Sequence, residues 1–304
     1  MLKQANAVKI ITASGGGTLE ADTGESFLIK RIECVPSAND TYLTLRVDKV
    51  TVGFYRVKGR SGNHLGSLVK GERRRNIMEW LNLHGINVTI PVAEGQVFSV
   101  SRYNEAGTVI VIYDIYDAGD IKATMENGSD ARTYTFLQYL DVGTGLTDAG
   151  DALCDVSLSP AEFPAFPAGA PVPSKTEIEV LGIVGSPFVM GKSGPASFGS
   201  KFLKLIKDRE VLFDEDRNGI PFNGEDATAT SAAYNCNYSL IGPYVSVLED
   251  SATVVDGEPL LFDPPLRFTS GDELNIYINC SETGTATWAS DVVDLATILR
   301  VRKM

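Results

Sequence analysis

Apolar and polar residues alternate with a period of two along most of this chain, a pattern that buries one face of an extended strand but gives a helix no continuous apolar side. The stretches Phe27–Cys34, Tyr42–Val47, Val50–Tyr55, Val97–Ser101, Val109–Tyr113, Phe202–Ile206, Leu274–Ile278 and Thr297–Val301 are short, rich in β-branched and aromatic residues, and separated by Gly, Pro, Asn or Asp. Many short strands with frequent turns predict an all-β sandwich or barrel. One stretch departs from this. In Glu72–His84 the residues Ile77, Trp80, Leu81 and His84 fall on one helical face, and Gly85 offers a left-handed stop, so a short helix is expected there.

The alternating blocks repeat in order. Tyr42–Lys49 matches Phe202–Arg209 in aromatic, Leu, Leu, Asp and basic positions, displaced by 160 residues (42 to 202). Ile90–Val100 matches Leu266–Ile276, displaced by 176 (95 to 271), each a strand, a Gly turn and a strand. Val109–Tyr116 matches Leu295–Arg302, displaced by 186 (109 to 295). A displacement that only grows is expected of a duplication whose second copy carries longer loops. Each copy suits a jelly-roll sandwich of about eight strands. The expected organisation is a first jelly roll over 1–125, a connection over 126–175 and a second jelly roll over 176–304. Residues 159–174 hold five of the fourteen prolines and read as an extended strap joining the two, since proline donates nothing to a ladder. The Ala, Thr, Ser, Asn and Gly-rich stretches 224–237 and 281–290 read as long loops.

Composition removes several function classes. Lys and Arg number 27 against 39 Asp and Glu, and a net charge of −12 repels phosphate backbones, so specific nucleic-acid binding is not expected. The two histidines, His64 and His84, cannot build a site of three imidazoles. Cys34, Cys154, Cys236 and Cys280 form no C-x-x-C pair, and residues 1–17 lack the apolar stretch of a secretory leader, which predicts an unsecreted chain with reduced thiols. No apolar run reaches the roughly 18 residues of a membrane span.

Two similar β units in tandem, a short helix between strands of the first, no leader and no catalytic cluster resemble the double jelly-roll major capsid proteins of tailless icosahedral viruses that enclose a lipid membrane and infect bacteria or archaea. The resemblance implies a structural protein with no enzymatic activity. It implies a homotrimer of pseudo-hexagonal outline, with upright barrels and outward loops, that joins a capsid lattice around an internal membrane. Minor capsid or vertex proteins and the membrane are the further partners implied. The implied location is the virion capsid, after assembly in the host cytoplasm.

Two clusters stand out as sites. Asp214, Asp216, Asn218, Gly219, Ile220 and Glu225 fit the string D-x-D-x-N-G-x5-E, which offers calcium carboxylates at loop positions one and three, an amide at five, a carbonyl at seven and a bidentate Glu at twelve. The flanks read as strands rather than helices, and a β-hairpin turning at Asn218-Gly219 with solvated acids is the alternative. Arg73, Arg74 and Arg75 stand at the start of the expected helix, where the macrodipole disfavours cations. They face either an external partner, such as an acidic neighbouring subunit or lipid headgroups, or solvent. The pairs Asp114/Asp117 and Asp291/Asp294 read as charged strand ends, and Gly15–Gly17 and Gly191–Ser193 as turns without the spacing of a phosphate loop. A glycan-binding or glycan-processing double sandwich is the competing function, with Tyr234, Tyr238, Tyr244 and Trp288 as the loop aromatics that would stack on sugars.

Overall fold

A computed structural model describes residues 1–11, 17–36, 40–58, 76–103, 107–122, 133–141, 150–189, 200–214, 220–221, 223–224, 238–239, 260–280 and 293–304. The chain is all-β, with every described strand pair antiparallel, and divides into two compact units, Met1–Leu137 and Gln138–Met304. One helix lies among the described residues, and no helix there is long and apolar enough to cross a membrane.

The first unit contains β1 (Leu2–Ile11), β2 (Gly17–Glu20), β3 (Glu25–Pro36), β4 (Asp40–Val47), β5 (Val50–Lys58), α1 (Ile77–Leu83), β6 (Ile90–Val92), β7 (Val97–Tyr103) and β8 (Gly107–Asp117). They form two four-stranded sheets, ordered β1-β8-β3-β6 and β2-β7-β4-β5. Alternation sends Ile29, Ile32, Leu43, Leu45, Phe98, Val109 and Val111 into the core, all but fully buried. The helix starts because Asn76, itself buried, accepts from the Met78 and Glu79 amides at 3.0 and 3.4 Å. Its Nδ2 donates to the Ile32 carbonyl at 2.5 Å, so one side chain caps the helix and ties it to β3. Gly85, at φ +82°, ends the helix as expected, and Ile77, Trp80 and Leu81 are buried with Met78.

The second set begins with β9 (Thr133–Asp141), within which the unit boundary falls. It continues with β10 (Gly150–Leu153), β11 (Val156–Ser157), β12 (Thr176–Val189), β13 (Ser200–Lys207), β14 (Glu210–Phe213), β15 (Ile220–Pro221), β16 (Asn223–Gly224), β17 (Tyr238–Ser239), β18 (Leu260–Phe268), β19 (Leu274–Cys280) and β20 (Val293–Lys303). One sheet runs β11-β9-β20-β12-β18, a second β10-β19-β13-β14 with β15 also on β13, and β16 pairs β17. Replacing β1 to β8 by β9, β10, β12, β13, β14, β18, β19 and β20 converts the two orders of the first unit into those of the second, less β11 and β15. All three matched sequence blocks land on equivalent strands.

The repeat extends to single hydrogen bonds. Asp48 and Asp208 both turn at positive φ, 54° and 52°, and their carboxylates accept from the Val97 and Glu273 amides, each at 3.0 Å. Gly95 and Gly271, at φ +79° and +92°, donate to the Ala21 and Val172 carbonyls at 2.9 and 3.0 Å. A bulge interrupts β3 against β8 between Ile29 and Arg31, and its equivalent interrupts β12 against β20 between Val180 and Gly182. Another falls opposite Leu45 and Arg46 of β4, where Val52 is the extra residue of β5, and its equivalent falls opposite Leu205 and Ile206 of β13, where Leu212 is the extra residue of β14. Bulges carry one extra residue each and define local twist, so their coincidence in two copies reflects one backbone design used twice.

The Pro-rich strap, expected between the units, lies inside the second. Residues 158–175 contain no strand, in keeping with their prolines, but Phe163, Phe166, Ala168 and Val172 are buried, and Phe166 packs on Phe268 at 5.1 Å. Val172 occupies the place of Ala21 in the first unit, so the strap leads directly into the second copy's β12 and belongs to its packing.

Candidate functional site

The acidic string starts where β14 ends. Leu205 pairs with Phe213, while Leu203 pairs with Ile220 and Phe202 with Pro221, so both flanks of residues 214–219 run antiparallel along the same strand, β13. The flanks are strands, as expected, but they pair with β13 and not with each other. The Asn218-Gly219 turn itself lies outside the described residues, and the equivalent β5 runs unbroken to Lys58. Asp216, Asn218 and Glu225 lie outside the described residues, as does the side chain of Ile220. Asp214 is described: its Oδ1 is buried and has no hydrogen-bond partner. A buried carboxylate oxygen left this way fits a hard cation's donor set at loop position one. Lys204 on β13 is already engaged, 3.0 Å from Asp151, and its hydrogen bond to that carboxylate, then the carboxylate's charge, hold its pKa above the ordinary lysine value. Among the described residues no group of three or more acidic, His or Cys side chains gathers for a metal.

Arg73, Arg74 and Arg75 also lie outside the described residues. The helix opens at Asn76 and Ile77 rather than Glu72, so the three arginines precede its cap. Beside that cap sits a charged cluster the sequence did not disclose. Glu33 of β3 is 4% exposed and pairs with Arg31, which also reaches Glu79 of α1 at 2.9 Å. Burial pushes the Glu33 carboxyl above the usual carboxylate range, against the opposing charge of Arg31. The cluster clamps helix to sheet.

Asp114 and Asp117 are engaged separately. Asp114 is buried on β8 and paired with Lys30, whereas Asp117, exposed at the strand end, meets the Met1 amine and Lys3. A hydrogen bond from the chain's amino terminus holds the Asp117 carboxyl below its ordinary value. Cys34 and Cys154 are buried thiols. Asp291, the glycines at 15, 16 and 191, and the aromatics Tyr234, Tyr244 and Trp288 lie outside the described residues. So do the side chains of Asp294 and Tyr238.

The largest exposed apolar residues on a described strand lie on β1. Val8 and Ile10 are 56% and 59% exposed, and their register partners across β8 are Ile112 and Ile110, both half-buried. On the second copy the places of Ile110 and Ile112 are taken by Ala296 and Ile298, both fully buried. The same sheet face is thus closed in one copy and open in the other. No protein-family model matches this sequence, and no curated protein matches it.

Proposed function

We propose that the chain is a double jelly-roll coat subunit that self-assembles as trimers, of pseudo-hexagonal outline, into an icosahedral shell around an internal membrane. The observation that carries this reading is the pair of strand orders β1-β8-β3-β6 and β2-β7-β4-β5, both recurring in the second set of strands, where β11 and β15 are added at β9 and β13. Each is the order of a sandwich in which the chain winds as a double ribbon between two sheets. Two copies in one chain let a closed threefold oligomer present six similar units, which is how a trimer tiles a hexagonal lattice. The connections between strands are longer in the second copy, 190–199 against 37–39 and 281–292 against 104–106, which suits outward loops.

In this reading the protein is structural rather than catalytic. It meets copies of itself, minor capsid or vertex proteins and the membrane, resides in the virion after assembly in the host cytoplasm, and makes no specific contact with nucleic acid. Calcium at the 214–225 loop is an accessory to assembly. The open flank at Val8 and Ile10 supplies apolar area for a neighbour. Sedimentation of the full chain at micromolar concentration tests the proposal: a trimer, with hexagonal sheets in negative stain, is expected. A monomer at every salt concentration overturns it.

A further inference from the structure

Three side chains on adjacent strands of the first unit meet at one point. Lys30 Nζ donates to Asn6 Oδ1 at 2.9 Å and lies 2.8 Å from Asp114 Oδ1, while the Asn6 backbone N–H donates to the same carboxylate oxygen at 2.8 Å. Asn6 belongs to β1, Lys30 to β3 and Asp114 to β8 between them. The first two stand at irregularities: Asn6 has φ +55° within a register shift of β1, and Lys30 is the extra residue of the β3 bulge. Irregular backbone of this kind re-aims side chains and persists where the surroundings over-determine it.

We propose that Lys30, Asn6 and Asp114 form a self-catalysed isopeptide cross-link that staples β1 to β3 across β8. Asp114, 7% exposed, takes a proton from the Lys30 ammonium. The freed amine attacks Asn6 Cγ, one bond beyond the oxygen it already contacts, and such pre-positioning is what makes an intramolecular acyl transfer fast. Asp114 returns the proton to the carboxamide nitrogen as the Cγ–Nδ2 bond breaks. The Nζ–Cγ amide remains, ammonia leaves, and the ammonium's second surplus proton goes with it as the ammonium ion, so no oxidant or cofactor is needed.

The fold does not require this trio. At the equivalent positions of the second copy stand Leu181 and Arg300, and Arg300 pairs with Glu179 instead at 3.0 Å. What differs is the need: β1 is an edge strand held only by β8 among the described strands, with two register shifts and most side chains exposed. An edge strand so lightly held is the place where a covalent tie gains most.

Intact mass of the full chain after denaturation tests the proposal, with proteolysis to locate the link. The expected result is a chain lighter by one ammonia, with a branched peptide joining Asn6 to Lys30. The Lys30→Arg variant keeps the charge beside Asp114 but has no equivalent nucleophile, so it is expected to fold and regain the full mass, as is Asn6→Ala. Full mass in aged parent protein overturns the proposal. Loss of water instead of ammonia moves the acyl group to Asp114 and overturns the assignment to Asn6. A lighter mass that Lys30→Arg retains comes from another asparagine and overturns it as well.

Discussion

Thr297 and Val111 occupy the same position on equivalent strands, paired with Ile183 and Ile32 respectively, and differ by a hydroxyl in place of a methyl. The Thr297 hydroxyl is fully buried and has no hydrogen-bond partner, which forfeits its hydration with nothing in return. Thr297→Val is therefore expected to raise stability by about 1 kcal/mol, read as a higher urea midpoint at unchanged slope; an unchanged or lower midpoint refutes it. Glu33 makes an opposite kind of sacrifice. Because burial raises its folded pKa above the unfolded value, the folded state binds the proton more readily, so this group costs stability at neutral pH and the cost is relieved as pH falls toward the unfolded value of 4.5. Urea unfolding is expected to show the parent gaining stability relative to Glu33→Gln as the pH is lowered from about 7 to about 5. An identical pH dependence in both proteins sinks this account.

At the scale of elements, the turns joining β4 to β5 and β13 to β14 make the repeat testable. Asp48 and Asp208 each cap a partner amide from the left-handed region, so Asp48→Ala and Asp208→Ala each lose a charge-assisted hydrogen bond and add backbone strain. Each is expected to cost about 2 kcal/mol, and a loss in one with none in the other argues that the two turns are not equivalent. Asn76→Ala is expected to cost about the same, since it removes a cap and leaves the Ile32 carbonyl bereft of its donor. The acidic string from Asp214 to Glu225 belongs at this scale too. If the acidic string holds calcium, excess calcium raises the melting temperature above that in chelator, because the ion binds the folded chain alone, and Asp216→Ala abolishes the difference. Equal melting temperatures in the parent leave the loop without a metal.

For the whole molecule, charge and apolar area pull in opposite directions. Copies carrying −12 each repel one another, and salt screens that repulsion while leaving apolar contact intact, so oligomers are expected to gain on raising ionic strength. Ile10→Asp is the sharper test: the side chain is exposed in the subunit, so the variant is expected to keep its melting temperature and lose oligomer by sedimentation. Parent-like assembly would remove the β1 flank from the interface.

Alternation and turn residues were sufficient, from sequence alone, for the all-β class, the short helix around Trp80 and three of the repeated blocks. Those signals are local: a strand's buried face and a glycine's turn are written within a few residues. The match of β3 to β12 escaped, because Phe27–Arg31 and Ile178–Gly182 share only apolar alternation, and the coincidence of their bulges becomes visible only in the pairing with β8 and β20. The acidic string was legible as a string. That its two flanks lie along β13 and not against each other depends on which strand edge was free to take them, which no spacing encodes. The same holds for Glu33 beneath α1 and for Lys30 meeting Asn6 and Asp114. Residues far apart in the chain become neighbours through sheet order, and sheet order is decided by the packing of the whole unit.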